Sequence, residues 1–165
     1  MPIKITLDTN CFFEYFERAP HYMERLIYHA DEGHIELAMT TRVMSDTRDK
    51  WEGEGESPIW SKIQSLPIIK TIGTVFRLDM SRLDSGDHLI SEDDGIIIDG
   101  LHETLDGAQI EDVDHIFGHI SDNRDIFVTS DSHFLNHCRE LKNKFGVLVL
   151  KPEDAVNEIE KKFPV

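Results

Sequence analysis

Short apolar runs, each closed by hydroxyl and acidic residues, mark the two ends of this chain. Ile3-Lys4-Ile5-Thr6-Leu7 leads into Asp8-Thr9-Asn10, and Ile126-Phe127-Val128 leads into Thr129-Ser130-Asp131. Both runs are rich in β-branched residues and too apolar for a strand with one wet face, so they predict buried parallel strands. Ile35 to Thr40 and Val147 to Leu150 read the same way. Between the strands the pattern changes to helical spacing. Cys11 to Glu17 predicts a short helix, a second is expected from Pro20 to a stop at Gly33, and a third from about Arg42 to Trp51. The stretch Gly53-Glu54-Gly55-Glu56-Ser57-Pro58 breaks that third helix and reads as a mobile loop.

The middle of the chain carries weaker signals. Ile68-Ile69 and Thr74 to Leu78 suggest strands, read as an antiparallel extension at the sheet edge. Asp84-Ser85-Gly86-Asp87 suggests a turn. Ser91 followed by Glu92, Asp93 and Asp94 predicts a capped helix start, with Ile97, Leu101 and Leu105 at helical spacing behind it. Asp106-Gly107 ends that helix, and Gln109 to Ile120 predicts another. The last third repeats the alternation: strand 126–129, a helix over about 133–144, strand 147–150, and a helix opening at Pro152. Strands alternating with helices predict one α/β domain over residues 1–165, with a mainly parallel sheet flanked by helices.

That architecture gives the two acidic run ends a meaning. Ligands of open α/β sheets bind outside the carboxyl ends of the strands. Asp8 and Asp131 are therefore expected on one rim. Asp46 lies about one and a half turns into the helix after the second strand, and Asp112 at the start of the helix that feeds strand 126–129, so both can border the same cavity. Carboxylates gathered in one place repel one another and stay ionised together if a hard divalent cation neutralises them. Each acid also has a simpler explanation. Asp8 and Asp131 can cap the helices that follow them. Asp46 can pair with Arg42 or Lys50, four residues away on either side. Asp112 competes with Glu111 and Asp114 for the site, and is preferred over both. His115/His119 and His133/His137 have the i, i+4 spacing of zinc ligands. In a chain with 9 histidines and no His-Glu-x-x-His pattern, chance accounts better for them.

Composition narrows the classes. With 165 residues the chain can bury a sizeable core but not two ordinary domains. A net charge of −15 argues against binding nucleic acid through a broad basic face, leaves room for a nuclease whose metal ions offset local carboxylates, and favours a basic partner. Two cysteines make no disulfide framework, and no run is long and apolar enough for a membrane span, so a cytoplasmic setting without membrane attachment is the expectation. A phosphatase built on a strand-borne aspartate needs a second acid two residues on, where Asn10 stands.

Four segments together resemble the successive motifs of the PIN domain, a family of small metal-dependent nucleases that includes many toxin halves of bacterial toxin–antitoxin pairs. They are Ile5-Thr6-Leu7-Asp8-Thr9-Asn10, Thr40-Thr41-Arg42-Val43-Met44-Ser45-Asp46, Asp112-Val113-Asp114-His115, and Phe127-Val128-Thr129-Ser130-Asp131-Ser132-His133-Phe134. Leu150-Lys151-Pro152-Glu153 extends the resemblance to the last helix. It implies a three-layer fold and a ribonuclease using Mg²⁺ or Mn²⁺, with Asp8, Asp112 and Asp131 as metal ligands. Thr129 would support Asp131 or orient a water, and Asn10, Asp114 and His115 would assist. Asp46 stands where the family usually has Glu, one methylene longer. Arg42 and Arg48 are the candidates to grip a substrate phosphate. Residues from about 53 to 107 form a longer middle region than a minimal member has. RNA as substrate, a basic antitoxin-like protein as partner and assembly as a homodimer fit the resemblance. The alternative is a PIN-fold binding or regulatory module that cleaves little.

Overall fold

The computed structural model describes residues 1–18, 21–49, 57–66, 68–77 and 86–164, with Arg48 and Asp49 described by main chain alone. Pro20, Lys50, Trp51, the stretch 53–56, Leu78, Asp84 and Ser85 lie outside the described residues, as does the side chain of Arg48. In chain order the elements are β1 (Ile3–Leu7), α1 (Thr9–Arg18), α2 (His21–Asp31), β2 (Ile35–Thr40), α3 (Arg42–Asp49), α4 (Pro58–Gln64) and β3 (Ile69–Ile72). They continue with α5 (Glu92–Thr104), α6 (Ile110–Ser121), β4 (Ile126–Val128), α7 (Ser132–Asn136), α8 (Cys138–Phe145), β5 (Leu148–Leu150) and α9 (Pro152–Lys162).

Among the described residues the sheet has five strands in the order β3-β2-β1-β4-β5, all parallel. Its centre is β1, which pairs with β2 on one side and β4 on the other. Leu7 is opposite Met39 of β2 and Val128 of β4. The strand order reverses at β1, so connections to its two neighbours leave a crevice at its carboxyl end.

Alternate residues feed two apolar clusters, because successive side chains of a strand point to opposite faces. Ile5, Leu7, Leu37, Ile126 and Val128 pack with Phe12 of α1, Met23 and Leu26 of α2, and Ile159 of α9. Phe127, facing the other way, packs with Leu101 of α5, Phe117 of α6, Phe134 of α7 and Leu141 of α8. These are the two helical layers. On β1 the second face is polar: Thr6 meets His119 of α6, with Oγ1 and Nδ1 2.9 Å apart. Burial first, then the Arg124 charge, pushes the His119 pKa down to about 3, so this ring is a neutral packing group.

Two glycines matter for position. Gly118 brings α6 against the sheet, since a Cβ there would meet the Gly73 carbonyl oxygen at 3.1 Å and Thr40 Cγ2 at 3.2 Å. Gly146 ends α8 at φ 73°, and its N–H donates back to the carbonyls of Leu141 and Lys142.

Several expectations need correction. The edge strand at Ile69–Ile72 is parallel to β2, not antiparallel. A parallel pair needs a crossover, and α3 and α4 supply it. Ser57-Pro58, read as the end of a loop, is the N-cap and first residue of α4, where proline's fixed φ is compatible with a helix. Thr74 to Arg77 holds a single parallel bridge, Val75 to His88, rather than a strand. The helix expected over 133–144 divides at His137 into α7 and α8. Among the described residues no helix is long and apolar enough to cross a membrane.

Candidate active site

The crevice at the end of β1 is lined from four directions. Asp8 follows β1, and its N–H donates to the Val128 carbonyl of β4 at 3.0 Å. Its carboxylate is buried and held on both oxygens. Oδ1 accepts from the Thr9 N–H at 2.7 Å, and Oδ2 from the Thr129 hydroxyl at 2.6 Å. The Thr129 hydroxyl oxygen also accepts from the Asp131 N–H at 3.0 Å and the Asn10 amide at 3.3 Å. One buried hydroxyl therefore joins the ends of β1 and β4 to the turn that carries Asp131. Asn10 closes the ring by accepting from Ser130 N–H at 3.3 Å. Asp131 caps α7, accepting from His133 N–H at 2.7 Å. It lines the cavity as well.

The helix starts supply the remaining acids. Asp112 lies in the first turn of α6 and accepts from the Gln109 N–H at 3.3 Å, half of a capping box. Its carboxylate borders the cavity, as does His115 one turn on. Asp46 reaches the same place from α3 and accepts from the Thr9 hydroxyl and from His115 Nε2. The cavity enclosed is about 480 Å³. Among the described residues five acids line it, Asp8, Asp46, Glu111, Asp112 and Asp131, with His115 and His133 beside them. Among the described residues no lysine or arginine lines it.

Asp114 and Arg42 lie elsewhere. Two residues along a helix turn a side chain most of the way round, while three bring it back, so α6 presents Asp112 and His115 together and points Asp114 away. Asp114 is fully buried and accepts from Arg42 Nε and from two nitrogens of Arg77, each at 2.8 Å. Arg42 is 1% exposed and also lies 3.8 Å from Asp87. An arginine so enclosed cannot grip a phosphate. It fixes the start of α3 against α6, and so sets where Asp46 and Asp112 stand. Nor does it pair with Asp46, which bonds to Thr9 and His115 instead. Thr9 and Thr40 are residues at or behind the cavity that sequence reasoning did not put forward as site residues; Glu111 was weighed only as a rival of Asp112, and His133 only as half of a zinc-spaced pair. The His133 signal was its place in the fourth motif, and the Thr9 signal its position between Asp8 and Asn10.

The electrostatics follow from burial and crowding. Burial pushes the Asp8 carboxyl up from its ordinary pKa, against the opposing pull of His115 and the hydrogen bonds from Thr129 and Thr9. Burial, then the charge of Asp8, raises Asp112. Burial alone would lower His115, but the hydrogen bond and charge of Asp46, with Asp8 and Asp112, outweigh it and hold the imidazole above its usual range.

These groups can be tested for fit to a cation. The donors are oxygens, as Mg²⁺ and Mn²⁺ prefer, and burial disfavours the ionised forms of Asp8 and Asp112. Among the described residues no three His, Cys, Asp or Glu side chains are close enough together to clasp one ion. A cation held by this set would keep several of its own waters, as Mg²⁺ commonly does.

No family model and no curated protein sequence matches the chain. Its fold has a counterpart among solved structures. The crystal structure of VapBC2 from Rickettsia felis, bound to a DNA fragment from their promoter, contains a chain that aligns with a TM-score of 0.58 and 14% identity, over 90% of this chain and 98% of that one. With the parallel sheet and its two helical layers, this likeness establishes a three-layer, PIN-like α/β fold.

Raised carboxyl values carry a stability consequence. An acid whose folded pKa lies above its unfolded one costs stability while ionised, and the cost disappears as pH falls through the folded value. Without metal, Asp112→Asn is expected to melt a few degrees above wild type at pH 7, with the gap closing on acidification toward pH 4. Thermal melts across that range check it. A variant less stable than wild type at pH 7 would show that Asp112 is held by favourable contacts rather than crowded by Asp8.

Proposed function

We propose that this protein is an endoribonuclease dependent on Mg²⁺ or Mn²⁺, of the toxin-like kind. The observation that carries the reading is the convergence of Asp8, Asp112 and Asp131, from three separate segments, on one cavity at the switch point of a PIN-like sheet. When bound, the cation lowers the pKa of an attacking water and neutralises charge building on the scissile phosphate. Asp8, Asp112 and Asp131 are the acids proposed to hold it. Thr129 fixes the first and last of these through its one hydroxyl, and Asn10 fixes Thr129. Asp46, backed by His115, braces the wall beside Asp8. Among the described residues no lysine or arginine lines the cavity, so a bound cation would supply countercharge to an RNA phosphate there. A second reading, a PIN-fold binding module that cleaves little, draws support from the absence of three closely gathered ligands among the described residues.

Cleavage of RNA is expected in Mg²⁺ or Mn²⁺ and is expected to stop on adding EDTA. Asp8→Asn deletes a charge while keeping shape, and should lower the rate on the order of 10²–10³-fold, as loss of one electrostatic stabiliser does. Circular dichroism should be unchanged. Equal cleavage by wild type and Asp8→Asn would place the activity elsewhere.

The same surface suggests a partner. A chain of net charge −15, with five acids round one cavity, attracts a basic segment and repels RNA. The similar solved chain comes from VapBC2 on promoter DNA. We extend to this protein an antitoxin-like partner that places Arg or Lys among the carboxylates, and a cytoplasmic setting. Co-purification from the native host should recover such a basic protein at low salt and lose it progressively as salt rises. Recovery of the chain alone at low salt, with neighbouring genes expressed, would contradict this.

A further inference from the structure

The buried imidazole of His115 ties together several groups of the cavity wall. It is 1% exposed and touches three elements besides its own. Its Nδ1 lies 2.5 Å from the Thr40 hydroxyl at the end of β2. Its Nε2–H donates to Asp46 Oδ2 at 2.8 Å, and the same nitrogen is 3.9 Å from Asp8 Oδ1 and 3.3 Å from the Thr9 hydroxyl. The Asp46 oxygen that takes this bond also takes the Thr9 hydroxyl. An oxygen already accepting two protein donors is a poor ligand, because meeting a cation would cost those contacts. Asp112, on the same face of α6 one turn before His115, carries no such tie: among the described residues its hydrogen-bond partner is the Gln109 N–H.

We infer that His115 is a positioning residue that withdraws Asp46 from the ligand set and turns it into a brace for Asp8, leaving Asp8, Asp112 and Asp131 to meet the cation. The four acids thus divide into three that face the ion and one that faces the imidazole. The one-methylene difference between Asp and Glu at position 46 then has a local reason. The short arm ends on His115, at the wall of the cavity. Ring, Thr40, Asp46 and Thr9 form a rigid strut across α6, β2, α3 and α1. This inference rests on the cation reading of the site, and two measurements separate the fate of one from the fate of the other.

The first is Mn²⁺ binding to the purified full chain by calorimetry, which needs no turnover. Asp8→Asn is expected to weaken binding by more than about a hundredfold, and Asp46→Asn by about tenfold or less, the lower end of what supporting partners of ligands contribute. The second is proton NMR of the metal-free protein. A buried, hydrogen-bonded imidazole N–H exchanges slowly enough to be seen, and it is assigned by its loss in His115→Gln. That resonance should move in Asp46→Asn and hold its place in Asp112→Asn. Equal loss of Mn²⁺ affinity in Asp46→Asn and Asp8→Asn, or an imidazole resonance indifferent to Asp46→Asn, would overturn the division of roles. Failure of the wild-type chain to bind Mn²⁺ at all would overturn the cation reading, and the inference with it.

Discussion

The hydrogen bond from the buried Thr129 hydroxyl to Asp8 is the contact around which the crevice is organised. A hydroxyl has one proton to give and two lone pairs to offer. Thr129 gives its proton to the acid at the end of β1 and offers its oxygen to the Asp131 N–H and to Asn10. Two parallel strands are thereby registered at their carboxyl ends, beyond the last ladder bond. Replace the hydroxyl with a methyl and Asp8 keeps its charge but loses one of its two donors in a buried place. The remainder of the site depends on this geometry, since Asp131 reaches the cavity only from the turn that Thr129 ties down.

Crowding of like charge is the second constraint. Five carboxylates share one wall, and protein groups offset only part of the cost. Main-chain N–H groups serve Asp8, Asp112 and Asp131, each placed as a helix start would place them. His115 serves Asp46 and approaches Asp8. Behind the wall, Asp114 with Arg42 and Arg77 forms a closed ionic group that fixes α3 against α6. What stays uncompensated is the charge of Asp8 and Asp112, whose carboxyl values burial raises. That residual cost is what a divalent cation or a basic segment would relieve.

The strands of the sheet centre were legible because β1, β2 and β4 are buried on both faces and read as continuous apolar runs. Their closing residues then located the rim. Helical periodicity separated Asp112 from Asp114 in space, but not in sequence, where both acids suit a helix start. Arg42 illustrates the limit. It follows β2 as a solvent-facing cation would, yet Asp114 of α6, the Val75 carbonyl and Asp87 enclose it. The edge was harder still. β3 has four residues with Lys70 and Thr71 exposed in its middle, and α4 has seven behind a Ser-Pro that reads equally as a breaker. Neither is long enough to show a period. His115 gave no local sign of its role, because its partners Thr9, Thr40 and Asp46 come from three distant segments.

The proposed cation site is tested most directly by crystals of the full chain grown with Mn²⁺ and measured for anomalous scattering. A peak is expected in the crevice at the end of β1, in contact with carboxylate oxygens of Asp8, Asp112 and Asp131 directly or through one water, with Asp46 still bonded to His115. An empty crevice at saturating Mn²⁺, or a peak bound elsewhere on the chain, would contradict it.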